Sequence, residues 1–279
     1  MTSTGPRDGA GAPTPDDALA RRLADIALAA GRLVREMTAR GVVASRKADG
    51  SACTDADVAA ERLIFSRLAE AFPDIPRIGE ETAPGFAGPP PERFFLVDPI
   101  DGTGEFVDGG DGYTVNVALV AHGVPVAGAI VAPARNRAWL GSAGGAATAE
   151  DVFGKAPQAL AWRPVRTRAA PAGGLTALAS SRHGDPDTEA WLARRNVSRR
   201  VNASSSLKFC LIAEGAADVY PRFGRTMAWD TAAGHAILQA AGGVVLTPGG
   251  APLRYDNSRG DFSNGPFIAW GDPRAAGAV

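Results

Sequence analysis

Apolar positions recur at helical spacing twice in the first third of the chain. Leu19, Leu23, Ile26, Ala30, Leu33, Val34 and Met37 form one stripe, and Thr14-Pro15-Asp16-Asp17 supplies a cap, a first-turn proline and acids that complement the helix dipole. This predicts a helix ending near Gly41. Val58, Leu63, Ile64, Phe65, Leu68 and Phe72 form a second stripe, opened by Thr54-Asp55-Ala56-Asp57 and stopped before Pro73. Residues 42–50 between them read as a strand and a turn, with Lys47 and Asp49 carrying charge. The period then shortens. Residues 75–79 are a short strand that delivers Glu80-Glu81, residues 82–92 a loop rich in Pro and Gly, and Phe94-Phe95-Leu96-Val97 a buried strand. After an acidic, Gly-rich loop at 105–112, residues 115–134 are almost uncharged. His122-Gly123-Val124-Pro125 is a turn signal at their centre, which predicts a buried hairpin and no membrane span.

A strand at 138–141 completes a largely antiparallel sheet covered by the two long helices, and residues 144–168 read as irregular. The second half alternates: strand 175–180, helix 186–195, strand 197–201, a helix through 213 capped by Ser204-Ser205-Ser206, and a segment at 216–220. Helix 231–241 follows, closed by Gly242-Gly243, and then strands 244–246 and 267–270. The expected class is α/β, an α+β half followed by an α/β half. A lead at 1–13 precedes halves at 14–150 and 151–279, with a soft boundary near Glu150.

Composition narrows the function. With 29 basic against 30 acidic residues the chain has no broad electrostatic grip for a nucleic acid polymer or an anionic membrane, so a small partner is expected. Cys53 and Cys210 are far apart and form neither a disulfide framework nor a metal knuckle, which makes a reduced, cytoplasmic protein the expectation. Residues 1–13 have no apolar core segment and read as a disordered lead, not a signal peptide.

The candidate chemistry centres on Asp98-Pro99-Ile100-Asp101-Gly102-Thr103, at the end of the predicted strand. Pro99 cannot continue a ladder, so the chain is expected to leave the strand there and turn Asp98 and Asp101 toward one point. Two close carboxylates repel unless a cation lies between them, and their hard oxygens favour Mg²⁺, Mn²⁺ or Ca²⁺. A helix starting after Gly102-Thr103 would turn free N–H groups toward a bound anion. Read alone, the same hexapeptide has a plain alternative, a surface turn. Asp57 has two readings, a capping-box acid behind Thr54 or a hydrogen-bond partner that makes a hydroxyl such as Thr103 a better proton acceptor. Asp230, in Trp229-Asp230-Thr231, is either a plain N-cap or a metal ligand at a strand-to-helix junction.

Taken together, Gly79-Glu80-Glu81, the Asp98–Thr103 motif and Trp229-Asp230-Thr231-Ala232-Ala233-Gly234 resemble the lithium-sensitive, magnesium-dependent phosphatases of the inositol monophosphatase superfamily. Asp101-Gly102-Thr103-Gly104-Glu105-Phe106, Thr114-Val115-Asn116-Val117-Ala118-Leu119, Ser205-Ser206-Leu207-Lys208-Phe209-Cys210 and Tyr220-Pro221-Arg222-Phe223-Gly224 are most similar to its bacterial 3′(2′),5′-bisphosphate nucleotidases of sulfate assimilation. The resemblance implies an αβαβα sandwich and two or three Mg²⁺ per site, held by Glu80, Asp98, Asp101, Asp230 and the Ile100 carbonyl. It implies that Thr103, backed by Asp57, and Glu80 orient and deprotonate a metal-activated water, which shifts Asp57 toward its chemical reading.

Gly102, Thr103, His183, Lys208 and Asp230 are the implied substrate contacts, with Arg182 beside His183; His183 as an ordinary loop histidine stays open. The implied substrate is adenosine 3′,5′-bisphosphate or its 5′-phosphosulfate form, and a homodimer is compatible. Gly104 departs from the lysine usual after Gly-Thr in these nucleotidases, which keeps inositol monophosphate and other sugar phosphates open. A non-catalytic nucleotide-binding protein on the same scaffold is the reading from another class.

Overall fold

The structure is a computed structural model, and it describes residues 15–46, 52–83, 86, 88–180 and 185–277. The predicted lead at 1–13, the Thr14 cap, the turn at 47–50, Arg182 and His183 lie outside the described residues.

The two helical stripes become α1 (Pro15–Arg40) and α2 (Asp55–Ala71), separated by a small antiparallel pair, β1 (Ala44–Arg46) and β2 (Ala52–Thr54). A seven-stranded sheet follows in sequence order: β3 (Arg77–Gly79), β4 (Arg93–Asp101), β5 (Thr114–Ala121), β6 (Val124–Ala132), β7 (Arg137–Ser142), β8 (Gly145–Glu150) and β9 (Arg163–Val165). Only the first pair, β3 with β4, is parallel. A short helix, α3 (Thr103–Val107), lies between β4 and β5, and a 3-10 turn at Pro157–Ala159 between β8 and β9.

The second half comprises β10 (Leu175–Ser180), α4 (Pro186–Ala193), β11 (Val197–Ala203), α5 (Leu207–Ala213), β12 (Val219–Arg222), α6 (Ala228–Ala240), β13 (Val244–Leu246), β14 (Phe267–Trp270) and α7 (Pro273–Ala276). Its five-stranded sheet has the order β11-β10-β12-β14-β13.

Strand alternation explains why β4 is apolar without a break. Phe95 and Val97 face α1 and α2, where they pack with Leu23, Leu28, Ile64 and Leu68. Phe94 and Leu96 face the other way, into a core shared with Phe209 of α5, Ile237 and Leu238 of α6, and Leu178 and Phe267 of the second sheet. On the outer face of that sheet, Trp191 and Leu192 of α4 and Ala275 of α7 cover Val219, Ile268 and Trp270. The layers are therefore helix, sheet, helix, sheet, helix, the expected sandwich. Gly128, within β6, is a contact point: a Cβ there would lie 2.6 Å from the Ala233 carbonyl of α6. Among the described residues no helix is long and apolar enough to cross a membrane.

Several expectations need correcting. Residues 144–168 are not all irregular, because β8 and β9 extend the first sheet through them. The strand Gly-Ala-Ala-Thr-Ala-Glu carries no branched aliphatic or aromatic side chain, so pairing with β7 and not local pattern holds it extended. Glu150 is the last residue of β8, and β9 of the same sheet follows it. The predicted loop at 105–112 begins as α3, and the helix expected at 231 begins at Ala228. Ser206 stands at the N-cap of α5 but makes no capping bond with its side chain, which is used elsewhere.

Candidate active site

Asp98 and Asp101 stand three residues apart, a spacing that in a regular strand would put them on opposite faces. The strand bulges between them. Asp98 pairs with Asn116 and Asp101 with Thr114, so three steps on β4 oppose two on β5. Pro99, with no N–H for the ladder, sits in the bulge, and both carboxylates line one cavity. The expected exit from the strand between the acids is thus replaced by a bulge, which absorbs the proline while pairing resumes at Asp101. Gly102 follows with φ +91°, and α3 starts at Thr103.

Glu80 arrives from the neighbouring strand. Parallel pairing of Gly79 with Val97 sets the next residues, Glu80 and Asp98, side by side, and the Glu80 N–H donates to the Val97 carbonyl (3.1 Å). Asp230 comes from across the sandwich, at the third position of α6, where its Oδ2 accepts the Met227 N–H (2.8 Å). It braces a helix start without being the N-cap, and it also faces the cavity. Asp57 makes the contacts of both its readings. Oδ2 accepts from the Thr54 N–H (2.7 Å) and hydroxyl (2.6 Å), and Oδ1 stands 3.2 Å from Thr103 Oγ1. The Thr103 hydroxyl is also 2.9 Å from the Ile100 carbonyl, so two acceptors compete for its one proton.

The turn between β11 and α5 clamps Asp101. The Ser206 N–H donates to Asp101 Oδ2 (2.7 Å), Asn116 Nδ2 reaches the same oxygen (3.3 Å), and Ser205 Oγ donates to the Asp101 carbonyl (2.9 Å). Ser205 holds φ +52°, a left-handed conformation costly for a residue with a Cβ. Lys208 secures that turn: its ammonium donates to the Ser205 (2.7 Å) and Ala203 (3.2 Å) carbonyls and lies 5.0 Å from the centre of the Tyr220 ring. It lines the cavity but is only 4% exposed, and these backbone contacts are what its position provides.

Glu80, Asp98, Ile100, Asp101, Gly102, Thr103, Lys208 and Asp230 all border one cleft of about 1050 Å³, as does Gly104. Asp57 stands behind Thr103 and is almost fully buried. Burial, and then repulsion from Glu80, Asp101 and Asp230, holds the Asp98 carboxyl well above the usual range. Asp230 is raised well above its ordinary value by burial and by Asp101, against the help of the Met227 N–H. Asp101 is raised by burial, countered by the Lys208 ammonium and the Ser206 N–H. Burial brings Lys208 down to about 8.

Among the described residues no three His, Cys, Asp or Glu already close on one point as a metal cage. The acids nevertheless fit a hard divalent cation: every donor is an oxygen, the carboxylates repel one another across a shared cleft, and the nearby lysine is committed to backbone carbonyls.

Sequence reasoning missed Asn116, Ser205 and Ser206 as supports of Asp101, and Arg222 and Arg225 as part of the cleft wall. Asn116 had a signal, since an amide in the middle of a buried strand needs a partner. The serines had one that pointed to capping.

The chain matches the inositol monophosphatase family over residues 17–275. It is 40% identical over 222 residues to the 3′(2′),5′-bisphosphate nucleotidase CysQ of Escherichia coli K12, covering 79% of this chain and 86% of that protein. To the CysQ of Buchnera aphidicola it is 36% identical over 260 residues, covering 89% and 92%. The crystal structure of CysQ from Bacteroides thetaiotaomicron superposes with a TM-score of 0.75 at 34% identity, over 91% of this chain and 97% of that one. A family match that spans both sheets and every acid of the cleft leaves one assignment, and the chain belongs to the inositol monophosphatase family.

Proposed function

We propose that this chain is a Mg²⁺-dependent phosphomonoesterase that hydrolyses the 3′-phosphate of adenosine 3′,5′-bisphosphate, and also of its 5′-phosphosulfate form. The observation that carries the chemistry is the convergence of Glu80, Asp98, Asp101 and Asp230, from β3, β4 and α6, on one cleft that also holds the Thr103 hydroxyl. The substrate rests on similarity to nucleotidases at up to 40% identity.

The four carboxylates and the Ile100 carbonyl would hold the cations. When bound, these lower the pKa of water, neutralise phosphoryl oxygens and stabilise the leaving alkoxide. The chain's own residues provide the positioning. Asp57 takes the Thr103 proton in a hydrogen bond, which leaves the oxygen lone pairs of Thr103 to accept from the attacking water. Glu80, at the same cleft, receives one water proton as the water oxygen bonds to phosphorus and the P–O ester bond breaks in line; the leaving 3′-oxygen takes a proton from solvent water, giving phosphate and a nucleoside with a free 3′-hydroxyl and its 5′ group intact. The Ser205 hydroxyl, on the Asp101 carbonyl, and the Ser206 N–H, on its carboxylate, keep Asp101 from swinging away from its neighbours.

The test is phosphate release with Mg²⁺ across nucleotide bisphosphates and sugar monophosphates. Adenosine 3′,5′-bisphosphate should rank first by kcat/KM. A sugar monophosphate, inositol monophosphate among them, ranking above it would favour the second reading, which Gly104 supports by leaving no side chain at that point of the cleft wall. Binding of the nucleotide with no turnover of any substrate would point to the non-catalytic reading.

A further inference from the structure

One turn beyond Asp57 on α2 lies a second buried acid, Glu61, only 2% exposed. Positions four apart share a helix face, so both carboxylates point the same way, toward the ends of β3 and β4. They hold different strands. Asp57 reaches Thr103, just past β4, whereas Glu61 Oε2 accepts the N–H of Glu81 (2.9 Å), just past β3. The carboxylate lies close against the backbone. A Cβ on Gly79 would fall 2.2 Å from Glu61 Oε2 and 2.6 Å from its Cδ, so glycine is what lets the acid dock. Burying a carboxylate is costly unless it is partnered, and a well-packed apolar side chain of similar volume often serves stability as well. The segment it grips, Gly79-Glu80-Glu81, carries the cleft acid Glu80.

We propose that Glu61 is a positioning residue, fixing the Gly79–Glu81 turn and through it the Glu80 carboxylate relative to the Asp57–Thr103 pair, with α2 as the rigid spacer between them. This role rests on the metal-dependent reading above. Partners that orient ligands typically matter 10- to 100-fold for metal affinity or activity. Glu61→Gln keeps an acceptor for the Glu81 N–H, whereas Glu61→Met keeps the bulk and removes it.

The test measures Mn²⁺ binding to each full-length variant from the free-ion signal in electron paramagnetic resonance, a readout independent of turnover, alongside kcat and KM at saturating Mg²⁺. Glu61→Met should weaken Mn²⁺ binding or lower kcat at least 10-fold with KM within about 3-fold, and Glu61→Gln should stay within about 3-fold of the parent in all three. Should Glu61→Met fail to fold, a cycle of Gly79→Ala with Glu61→Ala decides: the added methyl should weaken Mn²⁺ binding at least 10-fold in the parent and clearly less where the carboxylate is gone. Parent-like Mn²⁺ binding and kcat in Glu61→Met, or equal effects of Gly79→Ala in both backgrounds, would overturn the proposal. If the parent releases no phosphate, the phosphatase reading falls while the Mn²⁺ comparison still decides the role of Glu61.

Discussion

Asp57 performs two jobs with two oxygens, and replacing it separates them. Oδ2 satisfies the buried Thr54 N–H and hydroxyl at the start of α2, and Oδ1 stands within hydrogen-bond reach of the Thr103 hydroxyl, which the Ile100 carbonyl also reaches. In Asp57→Asn the amide oxygen can still serve Thr54, which turns the NH₂ group toward Thr103. The Thr103 hydroxyl must then accept where it previously donated, and its proton is directed away from the new amide and toward the Ile100 carbonyl or the cleft. Stability should change by less than about 1 kcal/mol, because the cap survives and a neutral amide is cheaper to bury than a carboxylate. Loss of a positioned proton-transfer group should lower kcat about 10²- to 10⁴-fold, which is about 2.7–5.5 kcal/mol in the barrier. Asp57→Ala should lose both, with about 1–3 kcal/mol of stability from the orphaned Thr54 N–H. Urea unfolding and phosphate release on the same preparations read the two effects. A kcat retained within about 3-fold in Asp57→Asn, or a loss of stability as large as that of Asp57→Ala, would refute this division of labour.

Other expectations follow from the same geometry. Gly102→Ala places a methyl 2.3 Å from Ser205 Oγ at φ +91°, and should cost about 1–3 kcal/mol and lower kcat by loosening the Asp101 clamp; unfolding and turnover assays check it. Chelation of divalent ions should abolish phosphate release and Mg²⁺ should restore it, while Asp98→Asn should stay inactive at any Mg²⁺ concentration. His235 is buried against the Tyr255 hydroxyl (3.2 Å), and burial holds its pKa down at about 4. Below pH ~6.5 the unfolded chain therefore binds the proton more readily, so this residue's stability is complete above pH ~6.5 and is lost as pH falls toward 4. Between pH 7 and 5 the stability of the parent relative to His235→Phe should drop by about 2 kcal/mol, read from denaturant curves; a pH-independent difference would contradict the assignment.

Local pattern predicted the elements well where one face of a segment decides its structure. The stripes of α1 and α2, the apolar run of β4 and the hairpin of β5 and β6 each declare a period within a dozen residues. β8 declares none, since alanine, glycine and threonine suit many conformations, and β9, Arg-Pro-Val, is too short to show one, so pairing with the neighbouring strand selects both. The motif acids were equally visible as a set. The Asp57–Thr103 contact was expected with them, but how the others are held was not, because the partners come from far along the chain: Asp101 from Ser206 and Asn116, and the Gly79–Glu81 turn from Glu61.

The amino-acid sequence by itself pointed to the α/β character, to Asp98 and Asp101 as a candidate hard-oxygen pair, with Glu80 and Asp230 joining them through the family resemblance, and to Asp57 at the start of α2. Only the tertiary structure decided that a bulge would turn Asp98 and Asp101 to one side, that Lys208 would be bound to the backbone of the clamp, and that Asp57 would cap and support Thr103 at once. The physical reason is range. Helix and strand periods are settled by near neighbours, whereas the direction of a buried carboxylate is settled by whichever donors the packed sheets bring within about 3 Å of it.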